Sequence, residues 1–412
     1  MDKSIIEKIN SHSKEYKEDM VKFLRDLIAL PSESTQEKEV AQRILEEMNK
    51  LGYDKAYIDE MGNVIGIMGT EGPVICFDGH IDTVGVGDLS TWTVDPYKGE
   101  YKDGWVYGRG ASDQTAGPVA AVYGGYIAKK LGLIKNYRYM VIGSIMEEDD
   151  EGSNWLAMVN NNWIPRPEVV VITEPTRRGV YRGHRGRMLV TIEITGRSCH
   201  ASAPERGLNA CDWASEIVLE IKKLNEILPE NSVLGKGSIT PTNGTLKSPS
   251  QNAVCDKAEL LFDRRINEKE PKELVIQQIE DLKAVKQARK AGLKVEVKVP
   301  IYKGKSYTGY EYEEETYYPA WLLNEDHPVI EAGAKAYEDL FDEDARVANW
   351  TFCTNASRIV PDDMLGIPAV GFGPGDEVYA HCPDEKMDSE DLVYACAFYA
   401  AYSQYYLKGK TK

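Results

Sequence analysis

Apolar residues recur along the chain first at helical spacing and then in short unbroken runs. Helical spacing covers residues 14–30 and again 37–51, where it stops at Gly52, so two helices are expected to open the chain. A further helical stretch is Thr115–Leu131. Four apolar runs end in polar or glycine residues: Val74–Phe77, Tyr139–Ile145, Val169–Ile172 and Pro368–Phe372. Unbroken runs of this length predict buried strands of an α/β sheet.

The middle of the chain follows a different pattern. Strand-like and helix-like segments alternate there, over Met188–Thr195, Ala210–Leu228, Ala258–Phe262, Glu270–Ala291 and residues 293–299. This order predicts a compact α+β module, residues 182–318, inserted into a larger α/β unit of residues 1–181 and 319–412. Within the module, the tyrosine- and glutamate-rich stretch Tyr307–Tyr318 is expected to lie in an exposed connection, with a substrate flap as the alternative.

Composition and charge narrow the class of protein. Of the 412 residues, 42% are hydrophobic and 28% charged, as in a folded globular protein, and the length favours two domains. No apolar run approaches the roughly 20 residues of a membrane helix, and the first residues lack the pattern of a secretory signal. The formal net charge of −17 opposes binding to nucleic acid or anionic membranes. We therefore expect a cytoplasmic protein that binds neither.

Acidic residues and histidines follow the ends of the predicted strands. In an open α/β sheet, ligands bind at the carboxyl ends of the strands, so these positions are candidates for chemistry. They hold, in chain order, His80, Asp82, Glu147, Glu148, Glu174 and His381. Imidazole and carboxylate together suit zinc, manganese or cobalt. Each piece alone has a structural alternative: a hydrogen-bonded loop histidine, a solvated acidic loop at residues 147–151, or, for Asp113, a helix N-cap.

These residues belong to a series of segments in a characteristic order: Gly79–Val84, Tyr107–Asp113, Glu147–Glu148, Glu174–Thr176, Cys199–Ser202 and His381–Glu385. The series resembles the co-catalytic zinc family that includes acetylornithine deacetylase, succinyl-diaminopimelate desuccinylase, aminoacylase and glutamate carboxypeptidase. It is most similar to an uncharacterised branch linked by name to selenium metabolism. The resemblance implies a zinc exopeptidase-like mixed sheet with helices on both faces, and an inserted α+β lid through which two copies form a homodimer.

The resemblance also implies a centre with two zinc ions, for which Co²⁺ or Mn²⁺ could substitute. In that family pattern Asp113 bridges the two ions. His80 and Glu174 then complete one site, and Glu148 and His381 complete the other. These five residues are the expected metal ligands.

Three further residues receive catalytic roles from the resemblance. Asp82 would hydrogen-bond the free ring nitrogen of His80 and so fix its tautomer. Glu147, next to a ligand but not one itself, would be the general acid and base. His200 would reach the active site of the partner subunit and stabilise the tetrahedral oxyanion.

Substrate binding is implied at four positions. Arg265 matches the family arginine that grips a substrate carboxylate, for which guanidinium geometry suits bidentate contact, and Asn252 accompanies it. Gly373 and Gly375 would let the backbone approach the substrate closely.

Two positions depart from the family pattern or have no role in it. Residues 353–355, Cys-Thr-Asn, stand where many relatives have a Thr-Asp pair, so the substrate is expected to differ as well. His184, at the edge of the module, is interpreted as a structural hinge residue.

The implied function is a metal-dependent hydrolase that cleaves the amide bond of a small N-acyl amino acid or peptide-like substrate through a metal-bridged water, as deacetylases and desuccinylases do. A dipeptidase or carboxypeptidase is the alternative within the same chemistry. A catalytically inactive protein that binds a small ligand is the alternative outside it. The presence of Glu147 argues against inactivity, because a pure binder has no need of a carboxylate that holds no metal.

Overall fold

The computed structural model describes residues 1–409 and is built on two main β-sheets. In chain order the strands are β1 (Lys55–Ile58), β2 (Val64–Met68), β3 (Val74–His80), β4 (Glu100–Lys102), β5 (Trp105–Tyr107), β6 (Arg138–Ser144), β7 (Val169–Ile172), β8 (Val180–His184), β9 (Gly186–Thr195), β10 (Glu230–Asn231), β11 (Gly235–Lys236), β12 (Ser238–Lys247), β13 (Lys257–Ile266), β14 (Lys294–Lys298), β15 (Ile301–Lys305), β16 (Glu311–Glu315), β17 (Tyr317–Tyr318), β18 (Trp321–Leu322), β19 (Val347–Trp350), β20 (Ala369–Gly371) and β21 (Lys386–Asp388). The larger sheet has the order β1-β2-β6-β3-β7-β20-β8-β18, with β19 beside β8. Its centre is parallel, because β3 runs with β6 and β7, and β20 runs with β7.

Helices cover both faces of the larger sheet. In chain order the described helices are α1 (Lys3–Glu15), α2 (Lys17–Ile28), α3 (Lys38–Lys50), α4 (Ala116–Lys130), α5 (Ser153–Asn160), α6 (Ala210–Glu226), α7 (Lys272–Glu280), α8 (Lys283–Lys290), α9 (Pro328–Phe341), α10 (Ala356–Ile359) and α11 (Ser389–Gly409). Of these, α6, α7 and α8 pack against the smaller sheet instead. The unbroken apolar run of β3 has a simple cause: Phe77 packs in the core that contains α4 and α11, whereas Cys76 packs with Trp155 of α5 on the opposite face. Within residues 1–409, no helix combines the length and apolar character that a membrane span requires.

The smaller sheet and its helices form a second unit, residues 186–318, called the insert below. Its strands have the order β12-β13-β9-β14, with β17 beside β9, and all pairs are antiparallel. Alternate side chains of β9, such as Val190 and Ile192, pack with Ile217 of α6 in a separate core. The predicted fold class, an α/β sheet with helices on both faces and an inserted α+β module, is confirmed. The predicted domain bounds stay predictions, and β8 continues in the larger sheet past the expected boundary at residue 181.

Two helix predictions were wrong in the number of helices. The chain opens with three helices rather than two, because α1 precedes the predicted stretch and the chain breaks at Tyr16. Asp2 caps α1 by accepting the backbone N–H of Ser4 at 2.9 Å. The expected single helix over 270–291 is two helices, α7 and α8, because the backbone of Leu282 is extended (ψ 136°).

The stretch Tyr307–Tyr318 is not an exposed connection throughout. It includes β16, which pairs with β15, and β17, whose Tyr317 and Tyr318 are buried. The hydroxyl of Tyr318 donates to Asp150 at 2.7 Å, and that of Tyr307 donates to the backbone oxygen of Gly62 at 2.8 Å. These contacts dock part of the stretch onto loops of the larger unit through tyrosine hydroxyls, whereas Glu311 and Glu313 are exposed.

Candidate metal centre

The parallel centre of the larger sheet brings three loops together. β3 ends at His80, which pairs in register with Ser144 at the end of β6. On the other side, Asp78 of β3 pairs with Ile172 at the end of β7. The loops that carry Glu147, Glu148 and Glu174 therefore leave the sheet beside His80, at the carboxyl edge where ligands bind in open α/β sheets.

His80 is 1% exposed and directs one ring nitrogen at carboxylates. Its Nε2 lies 3.1 Å from Oδ1 of Asp113, 3.6 Å from Oε1 of Glu174 and 3.9 Å from Oε2 of Glu147. Its Nδ1 lies 2.8 Å from the backbone oxygen of Asp82. A carbonyl only accepts, so Nδ1 carries the proton of the neutral ring and Nε2 is the nitrogen free for a metal.

Asp113 places one carboxylate oxygen on each side of the site. Oδ1 faces His80, and Oδ2 lies 3.2 Å from Nε2 of His381. The same nitrogen of His381 lies 3.0 Å from Oε1 of Glu148. A carboxylate placed between two imidazoles can offer one oxygen to each of two metal ions.

Glu385 fixes the backbone that presents Asp113. Its Oε1 accepts the backbone N–H groups of Ser112 at 2.8 Å and Asp113 at 2.9 Å, and its Oε2 accepts from Nη1 of Arg109 at 2.6 Å. Burial raises the pKa of Glu385 to about 7, against the opposing charge of Arg109. No role was expected for Glu385 from the sequence, although it closes the His381–Glu385 segment and Arg109 lies in the Tyr107–Asp113 segment.

Asp82 contacts the acidic loop more closely than it contacts the ring of His80. Its Oδ1 accepts the N–H of Glu147 at 3.1 Å, and its Oδ2 accepts the N–H of Glu148 at 3.1 Å and the hydroxyl of Ser34 at 2.7 Å. The distance from Oδ1 to Nδ1 of His80 is 3.6 Å, longer than a hydrogen bond. The ring is oriented by the backbone oxygen of Asp82, while the side chain orients the loop.

Two carboxylate oxygens of the site have no hydrogen-bond partner although they are buried. They are Oε1 of Glu147 and Oε2 of Glu174, in side chains that are 5% and 2% exposed. Burial raises the pKa of each carboxyl well above its ordinary value, and His80 opposes this shift. Buried anionic oxygens without donors are what a divalent cation satisfies.

The same negative charges act on the histidines. Hydrogen bonds to Asp113 and Glu148 raise the pKa of His381 to about 10. For His80, burial lowers the pKa, but Glu174 and Asp113 outweigh it and hold the pKa well above its usual range. The carboxylates thus attract positive charge strongly, and a metal would displace the histidine protons.

The donor set fits a divalent metal of the zinc type. Among the described residues, ligand atoms of His80, Asp113 and Glu148 lie within 4.8 Å of one another, and so do those of His80, Glu147 and Glu174. Imidazole nitrogen with carboxylate oxygen is the chemistry of zinc, manganese and cobalt sites.

Four of the five expected metal ligands, all but His80, line a cavity of about 350 Å³ between the larger sheet and the insert. From the larger sheet come Asp113, Glu147, Glu148, Glu151, Glu174 and His381, and from the insert come Arg187 and Arg265. Arg265 is thus where a substrate-binding arginine was expected. Arg187 and Glu151 received no role from the sequence.

The other expected residues lie elsewhere. His200 is an exposed residue of the insert, and the backbone oxygen of Asn252 accepts the N–H of Ala201 at 2.8 Å, so these two expected residues are neighbours outside the cavity lining. A Cβ at Gly373 would collide with the backbone oxygens of Thr173 and Glu174. That glycine lets the chain pass the strand end that carries Glu174.

Gly375 has φ +89°, and a Cβ there would meet Oγ of Ser112 at 2.6 Å. It lines a different cavity, beside Asp376. Asn355, in the segment that departs from the family pattern, donates to Asp78 at 3.0 Å and accepts the N–H of Gly152 at 2.7 Å. Its side chain therefore links β3 to the backbone at the end of the acidic loop.

His184 is fully buried, and its ring packs at centroid distances of 5.6 Å from Trp321 and 6.4 Å from Trp350. Its Nδ1 lies 2.9 Å from the backbone oxygen of Arg185, and its Nε2 accepts the N–H of Thr354 at 3.3 Å. Burial lowers its pKa to about 4. These contacts place a neutral ring at the junction of β8 and the insert.

Known proteins resemble this chain over half of its length or more. The Escherichia coli (strain K12) protein named "Uncharacterized protein YgeY" is 44% identical over 399 residues, which cover 97% of this chain and 96% of that protein. A probable succinyl-diaminopimelate desuccinylase of Staphylococcus epidermidis is 28% identical over 210 residues, 50% of this chain and 51% of that protein.

Solved structures share the fold. A dinuclear metal binding peptidase of the M20 family from Bacillus subtilis superposes with a TM-score of 0.72 at 14% identity, covering 97% of this chain and 100% of that one. The model of peptidase family M20/M25/M40 matches residues 76–405. This chain therefore belongs to peptidase family M20/M25/M40.

Proposed function

We propose that this protein is a two-metal amidohydrolase that removes the acyl group from a small N-acyl amino acid. The observation that carries the proposal is Asp113, whose two oxygens lie 3.1 Å and 3.2 Å from the Nε2 atoms of His80 and His381. One ion would be held by His80, Asp113 and Glu174, and the other by Asp113, Glu148 and His381. The donor set suits zinc, with cobalt or manganese as substitutes.

When bound, the two ions would polarise the scissile carbonyl and lower the pKa of a water between them. The chain supplies the proton transfers. Oε1 of Glu147 is buried and has no hydrogen-bond partner, so it is available to take the water proton and return it to the leaving amine. Asp82 holds the backbone of Glu147 in place during both transfers.

Arg265 is proposed to bind the carboxylate of the amino acid, because it lines the same cavity as the metal ligands. We propose that His200 and Asn252 serve the active site of a partner subunit, since both lie on the insert outside the cavity lining. The proposal therefore includes a homodimer formed through the insert, in the cytoplasm. Gly373 and Gly375 are proposed to shape the backbone at the edge of the site.

Related proteins favour this activity without fixing the substrate. The Staphylococcus epidermidis relative is named a probable desuccinylase. Solved structures of similar fold include a dipeptidase of Saccharomyces cerevisiae and a metallo-carboxypeptidase of Sulfolobus solfataricus. A dipeptidase or carboxypeptidase is the second candidate, and an inactive ligand-binding protein is the third.

The test is amine release by the zinc-loaded protein from N-acetyl, N-succinyl and N-carbamoyl amino acids and from dipeptides. Turnover of the acyl amino acids supports the proposal, and turnover of dipeptides alone favours the peptidase. If the zinc-loaded protein releases amine from none of these compounds, the ligand-binding protein is favoured. Glu147→Gln is expected to abolish turnover while zinc content is kept, and the exposed Glu46→Gln is the matched control. A Glu147→Gln protein with full activity would falsify the general-base assignment.

A further inference from the structure

Two arginines of the insert face the cavity from directly opposed positions. Arg187 on β9 and Arg265 on β13 are Cα partners in the antiparallel ladder. Both line the cavity that holds Glu147. Like charges directly opposite each other in a ladder destabilise a sheet. Their presence beside the metal ligands therefore indicates a binding role for both rather than for Arg265 alone.

The two guanidinium groups have different partners. Nη1 of Arg187 lies 3.2 Å from Oε1 of Glu151 in the acidic loop, and its guanidinium carbon lies 4.8 Å from the ring centre of Tyr318. Arg265 instead turns along its own strand, where Nε and Nη2 donate to Asp263 at 2.8 Å and 3.3 Å. Because the acidic loop holds Arg187 and a residue of its own strand holds Arg265, the two groups are available as separate anion-binding points.

The guanidinium of Arg187 is only partly satisfied by the described residues. Its Nε is buried and has no hydrogen-bond partner, and its side chain is 23% exposed. Glu151, which is 6% exposed, contacts only Nη1 and fixes the guanidinium in the cavity wall. A guanidinium held from one side presents its remaining N–H groups in a geometry suited to a carboxylate.

We infer that Arg187 binds a second carboxylate of the substrate, so that the preferred substrates are N-acyl amino acids with two carboxylate groups. This inference rests on the proposed function, in which Arg265 binds the carboxylate of the amino acid. The second carboxylate lies either on the amino-acid side chain or at the end of the acyl chain, and both share the chemistry that Arg187 recognises.

Two substrate pairs separate these sources. N-acetylglutamate is compared with N-acetylglutamine. N-succinylalanine is compared with the analogue in which the terminal carboxylate of the succinyl chain is an amide. Both comparisons use the zinc-loaded protein. We expect kcat/KM to favour the dicarboxylate in one pair by at least about tenfold, the size of effect that one charge-assisted hydrogen bond supports. The pair that shows the preference identifies where the second carboxylate lies.

Arg187→Gln is expected to reduce this preference to less than about threefold, mainly through KM, since it loses the charge-assisted contact. Arg187→Lys keeps the positive charge but loses the forked guanidinium. Its preference for the dicarboxylate is expected to lie between those of the wild-type protein and Arg187→Gln. Arg265→Gln should lower kcat/KM for all four compounds. The control is Arg289→Gln, an exposed arginine of the insert that pairs with Glu280 outside the cavity and should leave the preference unchanged.

Binding measured by calorimetry in the zinc-loaded Glu147→Gln protein gives a second readout, so the preference is measured even without turnover. The inference is overturned if the wild-type protein discriminates within neither pair, or if Arg187→Gln keeps the preference. If acyl amino acids are hydrolysed without this preference, the inference about Arg187 fails but the proposed function stands. The proposed function fails instead when zinc-loaded protein hydrolyses none of the compounds, whatever it binds.

Discussion

The carboxylate of Asp82 accepts the backbone N–H of Glu147 at 3.1 Å, so the residue two positions after the first histidine of the site holds the proposed general base. The other carboxylate oxygen holds the next residue, Glu148. One buried side chain thus sets the position of a proposed catalytic group and a proposed metal ligand together.

Asp82→Ala is expected to lower kcat by about 10- to 100-fold and to weaken zinc binding, because outer groups that hold metal ligands have effects of this size. Asp82→Asn keeps an acceptor for one of the two N–H groups and should lose less. Steady-state kinetics and zinc titration measure both. Asp88→Ala, in the same loop after β3, is the control, since Asp88 only caps a short turn. Equal activity of Asp82→Ala and wild type would contradict the role.

Asp113→Asn is expected to reduce zinc from two ions per chain toward none, because Asp113 faces both histidines of the site. Glu174→Gln should weaken only the ion shared with His80. Atomic emission on protein loaded with zinc and then dialysed measures the stoichiometry. Asp149→Asn, a change at an exposed acid that accepts from Tyr302, should keep two ions. Two firmly bound ions in Asp113→Asn would exclude a bridging role.

Arg109→Met is expected to lower the free energy of unfolding of the metal-free protein by about 3 kcal/mol, because it leaves the buried carboxylate of Glu385 without its counter-charge. Arg109 is 5% exposed and Glu385 is fully buried. Urea denaturation measures the loss. Adding Glu385→Gln should recover part of it, since the uncompensated charge is gone. Lys98→Met removes an exposed pair with Glu100 and should change stability by less than about 1 kcal/mol.

Acid is expected to destabilise the protein through His184. Burial lowers its folded pKa to about 4, below the roughly 6.5 of an unfolded chain. The neutral ring therefore stabilises the fold fully above pH 6.5, and this stability is lost as the pH falls toward 4. Between pH 7.5 and 5 the loss should be about 2 kcal/mol.

His184→Phe tests this in urea denaturation across the same pH range. The variant should be less stable at pH 7.5, because the N–H of Thr354 loses its acceptor, yet its stability should depend less on pH. His12→Gln, on the first helix, should keep the wild-type slope. An unchanged slope in His184→Phe would mean that other groups cause the acid sensitivity.

The central strands could be predicted from sequence because parallel strands buried on both faces need apolar residues at every position. Val169–Ile172 was predicted at its observed bounds. His80 was expected after its strand but is its last residue, since a polar side chain at a strand end looks the same in sequence as one just beyond it. These unbroken apolar runs were enough to predict the larger sheet and the polar residues that follow its strands.

The atoms that support the site could not be predicted. The sequence places Asp82 near His80. It does not reveal that the backbone oxygen of Asp82 contacts the ring of His80, while its carboxylate accepts the backbone N–H groups of the acidic loop. Arg187 sits in a strand whose alternation was clear, but its register against Arg265 depends on the pairing of β9 with β13, which alternation alone does not fix. The hydroxyl of buried Tyr318 donates to Asp150, a residue far from it in the chain, and a local sequence pattern does not reveal this pairing.

Strand β20 lies between β7 and β8, although it is made long after both. During synthesis, β7 and β8 emerge first, then the whole insert, and only then the strand that fills the gap between them. The last proposed metal ligand, His381, emerges after that strand. The nascent chain must therefore carry an unfinished sheet past the completion of the insert. The full set of proposed metal ligands exists only after residue 381 has left the ribosome.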